Sequence, residues 1–419
     1  MATVTPTLRR TLSLWQVSMS GIGVILGAGV YALVGPAAAQ AGNALWLAFL
    51  LAGAAAGLTA YSYARLGTMR PKDSPEFQYT SLAFGPRIGF VAGWLMLAAD
   101  LLAAAAVALG FGGYLAHLVG TPVSVNALLL LAIVAVVIST GIAESVGLAI
   151  VLTLVEAAGL LFVIVIGIPF WGRADYLEMP QGMSGVWSAA FLIFFAYLGF
   201  DELGNFAEEM RNPERDLPRA LALSMVGTTI IYLLVALSAI GATGWRALSA
   251  SAAPLALVAG QVLGARADAI LSVVALAATA NTVLLLLVAA SRSVYGMASA
   301  GVLPTRLARI AKHGIPTAAT VIVLGLVGAL VLVGNLAQVA AMTGATILLS
   351  FLLVNLSLPW LAWQGRTGGR NLVRMTDRLL PAVAIVLCVW LLLHAGWVSI
   401  AVGVGLTVMG LAVSVGRRS

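Results

Sequence analysis

The stretch 24-VILGAGVYALVGP-36 is apolar enough to enter a lipid bilayer, yet four of its residues are Gly or Pro. Both are poor helix formers. In hydrocarbon there is no water to satisfy a backbone that leaves the helix, so such a weak segment needs a physical reason.

The surrounding chain leaves no doubt about the solvent. Of its 419 residues, 61% are hydrophobic and 9% charged, and the mean hydropathy is +1.05. A soluble domain is about half apolar and about a quarter charged. Runs such as 91–116, 123–140 and 148–171 each reach the length of about 20 residues that a helix needs to cross a bilayer. Dividing the chain at its polar and Pro/Gly breaks predicts twelve spans, near 12–38, 42–66, 86–118, 123–140, 148–171, 186–208, 219–244, 266–298, 316–334, 338–363, 379–395 and 397–415. The predicted class is an all-α integral membrane protein. A transmembrane β-barrel would alternate apolar and polar residues over about ten positions, a pattern this chain lacks. The first apolar run continues into a full span, unlike a cleavable signal peptide. Cys388 is the single cysteine, so no intrachain disulfide forms.

The net charge of +7 invites a nucleic-acid partner, but its distribution argues against one. Nineteen of the 22 Lys and Arg fall in the tails and alternate loops of one side, against Arg173, Arg246 and Arg266 on the other. Cytoplasmic loops carry this excess, which predicts both termini in the cytoplasm, with 1–11 as an N-terminal tail, in a plasma or inner membrane. The basicity reports topology.

A second segment, 195-FAYLGFDELGNFAEE-209, repeats the contradiction of the first. It lies in the sixth span, contains Gly199 and Gly204, and puts Asp201 and Glu202 at membrane depth. Five spans separate the two segments. A repeat with an odd number of crossings inserts its second copy upside down, and interrupted helices at matching positions of two such halves point to a transporter site. One Gly-rich stretch alone is explained by close helix packing. The pair favours two broken helices.

Breaking the helix frees backbone N–H and C=O groups for a ligand. The N–H groups around Gly27, Ala28 and Gly29 suit a carboxylate, helped by the positive end of the half-helix that follows. Carbonyls near Ile25 and of Phe195, Ala196 and Leu198 suit an ammonium. A zwitterion fits both better than a sugar or an inorganic ion.

These residues bring a family into view. The chain resembles the amino acid–polyamine–organocation (APC) superfamily, and within it bacterial permeases similar to cationic amino acid transporters. The resemblance rests on 21-GIGVILGAGVYALVG-35, on 197-YLGFDELGNFAEEMRNPERDLPRA-220 and on 291-SRSVYGMASAGVLPTRLARI-310. It implies a LeuT-like 5+5 inverted repeat with helices 1 and 6 broken: helices 1–5 over 12–171, helices 6–10 over 186–363, and helices 11–12 appended over 379–415. It also implies an amino acid head group held between the breaks and covered by Phe195. Two positions depart from the family. Ala28 stands where many relatives carry Ser or Thr, leaving backbone donors alone for a carboxylate. In helix 5, 153-TLVE-156 puts Glu156 where several relatives carry a Lys that stands in for sodium, reversing the charge.

Ionisable groups inside a bilayer are costly and are functional candidates. Asp100, Glu156, Asp201 and Glu202 qualify, with no Lys, Arg or His mid-span to pair them; Arg292 comes nearest. Acids without bases imply protonation, a bound cation or solvent access. Asp201, directly after the second break, ranks first for carrying a coupling proton, against a structural role as a cap. Glu156 ranks second, against a hydrogen bond to a neighbour, and Asp100 faces either the proton or a cationic substrate. Glu202 is set about 100° around the helix and reads as a packing or loop contact. In helix 8, Thr279, Asn281 and Thr282 offer a sodium site by the same resemblance, against satisfaction by their own i−4 carbonyls. The charged stretch 208–220 reads as a latch of salt bridges at the inner face, against a plain solvated loop, with 302–316 as its neighbour.

No phosphate-binding loop, metal-ligand spacing or extramembrane domain is legible, so an enzyme is not expected. The expected function is secondary amino acid uptake by alternating access, coupled to protons with sodium left open, needing no cofactor and no obligate protein partner. Amino acid exchange, a polyamine or cationic substrate, and a transporter-like amino acid sensor stand as alternatives. Short tails speak against the sensor.

Overall fold

A computed structural model describes residues 11–69, 74–140, 146–299, 301–310, 316–365 and 375–415. Most of the predicted N-terminal tail and part of the 302–316 loop lie outside them. Most of the described residues are helical, and among them one isolated bridge, between Leu12 and Met210, stands in place of any strand.

The first span is two helices, α1 (Leu14–Ile25) and α2 (Gly29–Ala41). Then come α3 (Leu45–Met69), α4 (Pro75–Phe84), α5 (Pro86–Val119), α6 (Val123–Ser139) and α7 (Val146–Gly167). The sixth span is again interrupted. It runs as α8 (Gly182–Phe194), a 3-10 turn over Phe195–Tyr197, and a second 3-10 turn over Asp201–Glu208. The chain continues through α9 (Pro213–Ala250), α10 (Pro254–Leu263), α11 (Ala265–Ser299), α12 (Thr317–Val333), α13 (Leu336–Trp363), α14 (Thr376–Leu393) and α15 (Trp397–Val415). Both breaks fall where the sequence places them. Nine segments of the described residues are long and apolar enough to cross a membrane. Helices α6 and α12, at 17 residues each, sit at the short end of what a bilayer accepts. Helices α4 and α10 were not expected. Each starts on a proline, which forfeits no hydrogen bond at a first helical position; α4 packs against α5 and α13, and α10 against α11 and α9.

The interrupted helices pack with α3 and α9, while α5 gathers α6, α11, α12 and α13. The two breaks touch each other. A Cβ on Gly29 would stand 2.8 Å from Ala196 Cα, and one on Gly199 would stand 2.8 Å from Val24 Cγ1. Gly199 also holds φ at 107°, which a side chain would resist. Tyr232, buried on α9, ties the breaks from behind. Its hydroxyl lies 2.7 Å from Ile25 O and 2.9 Å from Ala196 O, so one donor serves a freed carbonyl of each broken helix.

At the end bearing Arg173 and Arg246, the bundle is stapled by Glu178. Asn43 Nδ2 donates to its Oε2 at 2.8 Å, and Trp245 Nε1 donates to its Oε1 at 3.0 Å. At the opposite end the chain entering α1 pairs with the segment after the sixth span: Leu12 N donates to Glu209 O at 3.0 Å and Arg211 N to Leu12 O at 3.1 Å. In the stretch 208–220, expected to act as a latch, these two backbone bonds and Arg211 Nε donating to Thr11 O at 3.0 Å tie the segment to the chain before α1. Among the described residues none of 209–220 forms an ion pair. Helix α14 is fixed to α3 by Arg65 Nε on Asp377 Oδ1 at 2.9 Å. Further along α14, Cys388 is wholly buried, its sulfur 3.9 Å from both Thr59 Oγ1 and Asn355 Nδ2.

Two substitutions test this core. Gly29→Ala forces the backbones apart at their contact and is expected to cost about 1–3 kcal/mol, the usual penalty of overpacking. Tyr232→Phe leaves two buried carbonyls without their donor, for a loss of about 1–3 kcal/mol. Thermal unfolding of each purified variant in detergent, with unchanged midpoints as the contrary result, measures both.

Candidate functional site

The space between the breaks is a cavity of about 530 Å³, within the range of about 300–1,000 Å³ common for small-molecule sites. Its walls come from α1, α2, α5, α7, α11, the interrupted sixth span and, through Ile347, α13. Exposed Glu202 and half-buried Asn205 and Phe206 line it at the end that also carries Arg292, so its mouth lies on the face bearing the basic loops. At the other end Ile25, Phe195 and Ala196 are buried.

The cavity gathers Ile25, Gly27, Ala28, Gly29, Phe195, Ala196 and Leu198 from the two breaks. Helix α2 begins at Gly29 with Ala28 at its N-cap and no side-chain cap. The first N–H groups of α2 therefore have no side-chain acceptor at the cavity wall, where the helix dipole favours an anion. The carbonyl half of the expectation is altered, because Ile25 O and Ala196 O already accept from Tyr232. Each keeps a second lone pair. Sequence reasoning passed over Tyr232. Its signal was a Tyr in the middle of an apolar span, since a buried phenol hydroxyl needs a partner.

The carboxyls reach the same space. Asp100 on α5, Glu156 on α7 and Asp201 after the second break all line it. Asp201 Oδ1 accepts from Gly199 N at 3.0 Å, holding the broken backbone just before it, whereas the turn Asp201–Glu208 has Phe200 at its N-cap and no side-chain cap, so the expected capping of the second half-helix is not made. Glu156 is 2% exposed, and its Oε1 has no hydrogen-bond partner among the described residues. The neighbour expected to satisfy that oxygen is absent there. Nearby, Tyr31 Oη donates to the backbone O of Glu156 at 2.7 Å, anchoring α7 to α2. Glu202 was expected to be a packing contact. It stands at the cavity mouth and accepts from Asn205 Nδ2 at 2.7 Å.

On α11, Asn281 and Thr282 line the cavity, and Thr282 Oγ1 would lie 3.8 Å from a Cβ on Gly27. Thr279 does not join them. Its hydroxyl donates to Ala275 O at 2.7 Å, spent on its own helix as the bland reading anticipated. No group of three or more metal-ligating side chains occurs among the described residues.

Comparison with known proteins agrees with this architecture. The family model described as amino acid permease matches residues 12–413. A branched-chain amino acid permease of Bacillus subtilis is 26% identical, over 94% of this chain and 90% of its own length. A methylthioribose transporter of the same organism is 30% identical, over 72% of this chain and 70% of its own. A vacuolar cationic amino acid transporter 4 of Arabidopsis thaliana is 30% identical, over 82% of this chain and 62% of its own. All three are transporters, not enzymes. With a cavity between two broken helices and a family match over nearly its whole length, this multi-pass membrane protein belongs to the amino acid permease family.

Proposed function

We propose that this chain takes up an α-amino acid across the cytoplasmic membrane by alternating access, coupled to the inward movement of protons, with both termini in the cytoplasm. The observation that carries the reading is the cavity itself. It sets the uncapped N–H groups of α2 opposite the sixth-span break, with three carboxyls around them.

A substrate carboxylate docks on the start of α2, where the dipole and the unpaired donors act together. Its ammonium lies against the break carbonyls and within the field of Asp201. The side chain extends toward α5 and α11, past Met96, Ala103 and Leu286, an apolar wall that suits an aliphatic group. Asp201 is the first candidate for the coupling proton, because it lies where the cavity meets the break. Losing the proton there adds negative charge beside the backbone that must rearrange when the cavity changes face. A coupling ion is thereby tied to a conformational step, as a free-energy linkage requires.

A cationic substrate is a second reading, favoured by Glu156. Glu156 lines the cavity and its buried Oε1 has no partner among the described residues, so its carboxylate is a natural counter-ion for a second positive charge.

Uptake of a labelled amino acid mixture into proteoliposomes, under an imposed inward proton gradient and without sodium, separates these readings. The wild type is expected to concentrate an amino acid. Asp201→Asn is expected to lose net uptake by roughly tenfold or more, the size of a coupling free energy of about 1–3 kcal/mol, while still exchanging substrate. Uptake only into preloaded vesicles, indifferent to the gradient, makes the protein an exchanger. Glu156→Gln is expected to weaken a cationic substrate by roughly tenfold and to leave an aliphatic one nearly unchanged. Equal loss of both would remove Glu156 from side-chain selection.

A further inference from the structure

Glu76 is the second residue of α4, in a polar stretch where an acid is usually solvated, and it does not line the cavity. It is nevertheless only 6% exposed. Tyr63 Oη, from α3, donates to its Oε1 at 2.7 Å. The Tyr63 ring is itself fully buried and stands edge-on to Tyr79 at 5.8 Å and to both Phe200 and Phe351 at 5.6 Å. Phe200 immediately precedes Asp201, so the aromatic cluster connects Glu76 to the second break.

Helix α4 also rests directly on the 3-10 turn Asp201–Glu208. A Cβ on Gly204 would stand 2.9 Å from Pro75 Cγ and 3.4 Å from Tyr79 Oη. That hydroxyl is buried without a partner among the described residues. Among the described residues, the ionisable groups around Glu76 are the phenols of Tyr63 and Tyr79, Asp201 and Glu202 on the turn, and Asp100 on α5. Helix α13, the other neighbour of α4, has no ionisable side chain.

Two protonation states of Glu76 therefore mean two different contacts. Neutral, it completes a close-packed joint between α4 and the turn. Ionised, it is a buried anion beside the carboxylate of Asp201, a repulsion that low dielectric magnifies. Burial, with the charge of Asp201 added, pushes the Glu76 carboxyl from 4.5 up to about 8. Between these values the unfolded chain has lost this proton and the folded chain keeps it. Stability from this group therefore falls as pH rises through that window and levels off above it.

We propose that Glu76 is a positioning residue for transport: its protonation seats the turn after the second break against α4, and its ionisation lifts that turn away. The turn carries Asp201, Glu202, Asn205 and Phe206 into the cavity, so unseating it disturbs the substrate site from outside. This deepens the proton-coupled uptake reading and rests on it for the substrate. It adds a second titrating carboxyl, on the side of the break away from the cavity.

The test compares wild type, Glu76→Gln and Tyr63→Phe at equal pH on both sides of the membrane, from about pH 6 to about pH 9.5, without a gradient. The wild-type KM for exchange is expected to rise several-fold with a midpoint near 8. Glu76→Gln, permanently neutral, is expected to keep the low-pH KM throughout. Tyr63→Phe removes a donor that favours the carboxylate, so its midpoint is expected to move to higher pH. In thermal unfolding of the substrate-free protein, Glu76→Gln is expected to exceed wild type at the alkaline end. A wild-type midpoint retained in Glu76→Gln overturns the proposal. Should that variant not fold, an unmoved midpoint in Tyr63→Phe overturns it equally. Failure of the wild type to concentrate substrate under a gradient counts against proton coupling alone, since these profiles use none.

Discussion

A peptide group in hydrocarbon has nowhere to turn except to another protein group, and the interrupted spans of this chain are arranged around that constraint. Where α1 gives way to α2, and where α8 gives way to the turn after it, carbonyls and amides leave their own helices. They survive because they meet each other and because Tyr232 and Asp201 serve the groups left over. Gly29 and Gly199 let the two backbones come within contact. What remains unspent faces a cavity, where a zwitterion can complete the set.

The carboxyls are then divided by the joint they serve. Asp100, Glu156 and Asp201 belong to the cavity. Glu76 belongs to the mechanical seat behind it, where α4 and the turn meet over Gly204. On the proton-coupled reading proposed above, a substrate and a proton act on the same short piece of backbone from opposite sides, one through the break and one through α4. Coupling between ligands needs such a shared two-state element, and the turn Asp201–Glu208 is the segment both groups bear upon.

Much of this was legible before any coordinates. Gly and Pro inside apolar runs located both breaks, because helix propensity and membrane burial conflict only where something else holds the backbone. The acids at depth were equally visible. Tyr232 was not, since a Tyr in an apolar span looks like packing until its hydroxyl is traced across many residues to Ile25 and Ala196. Glu76 was hidden by context: a charge next to Pro75 reads as a loop, and only the fold of α4 back onto α3 and the turn removes it from water. Thr279 erred the other way, offering a hydroxyl that its own helix consumes. Local rules see what a residue can donate, while burial and long-range partners decide whether it does.

The single thiol has an experimental consequence. Cys388 is closed off between α3, α13 and α14, with Thr59 and Asn355 against its sulfur. Reagents that attack exposed thiolates therefore have no native target in the folded chain. The natural sequence is already a silent background for spectroscopic labels. Cysteines placed on the turn after the second break and on a fixed helix would report their separation without first emptying the protein of its own sulfur.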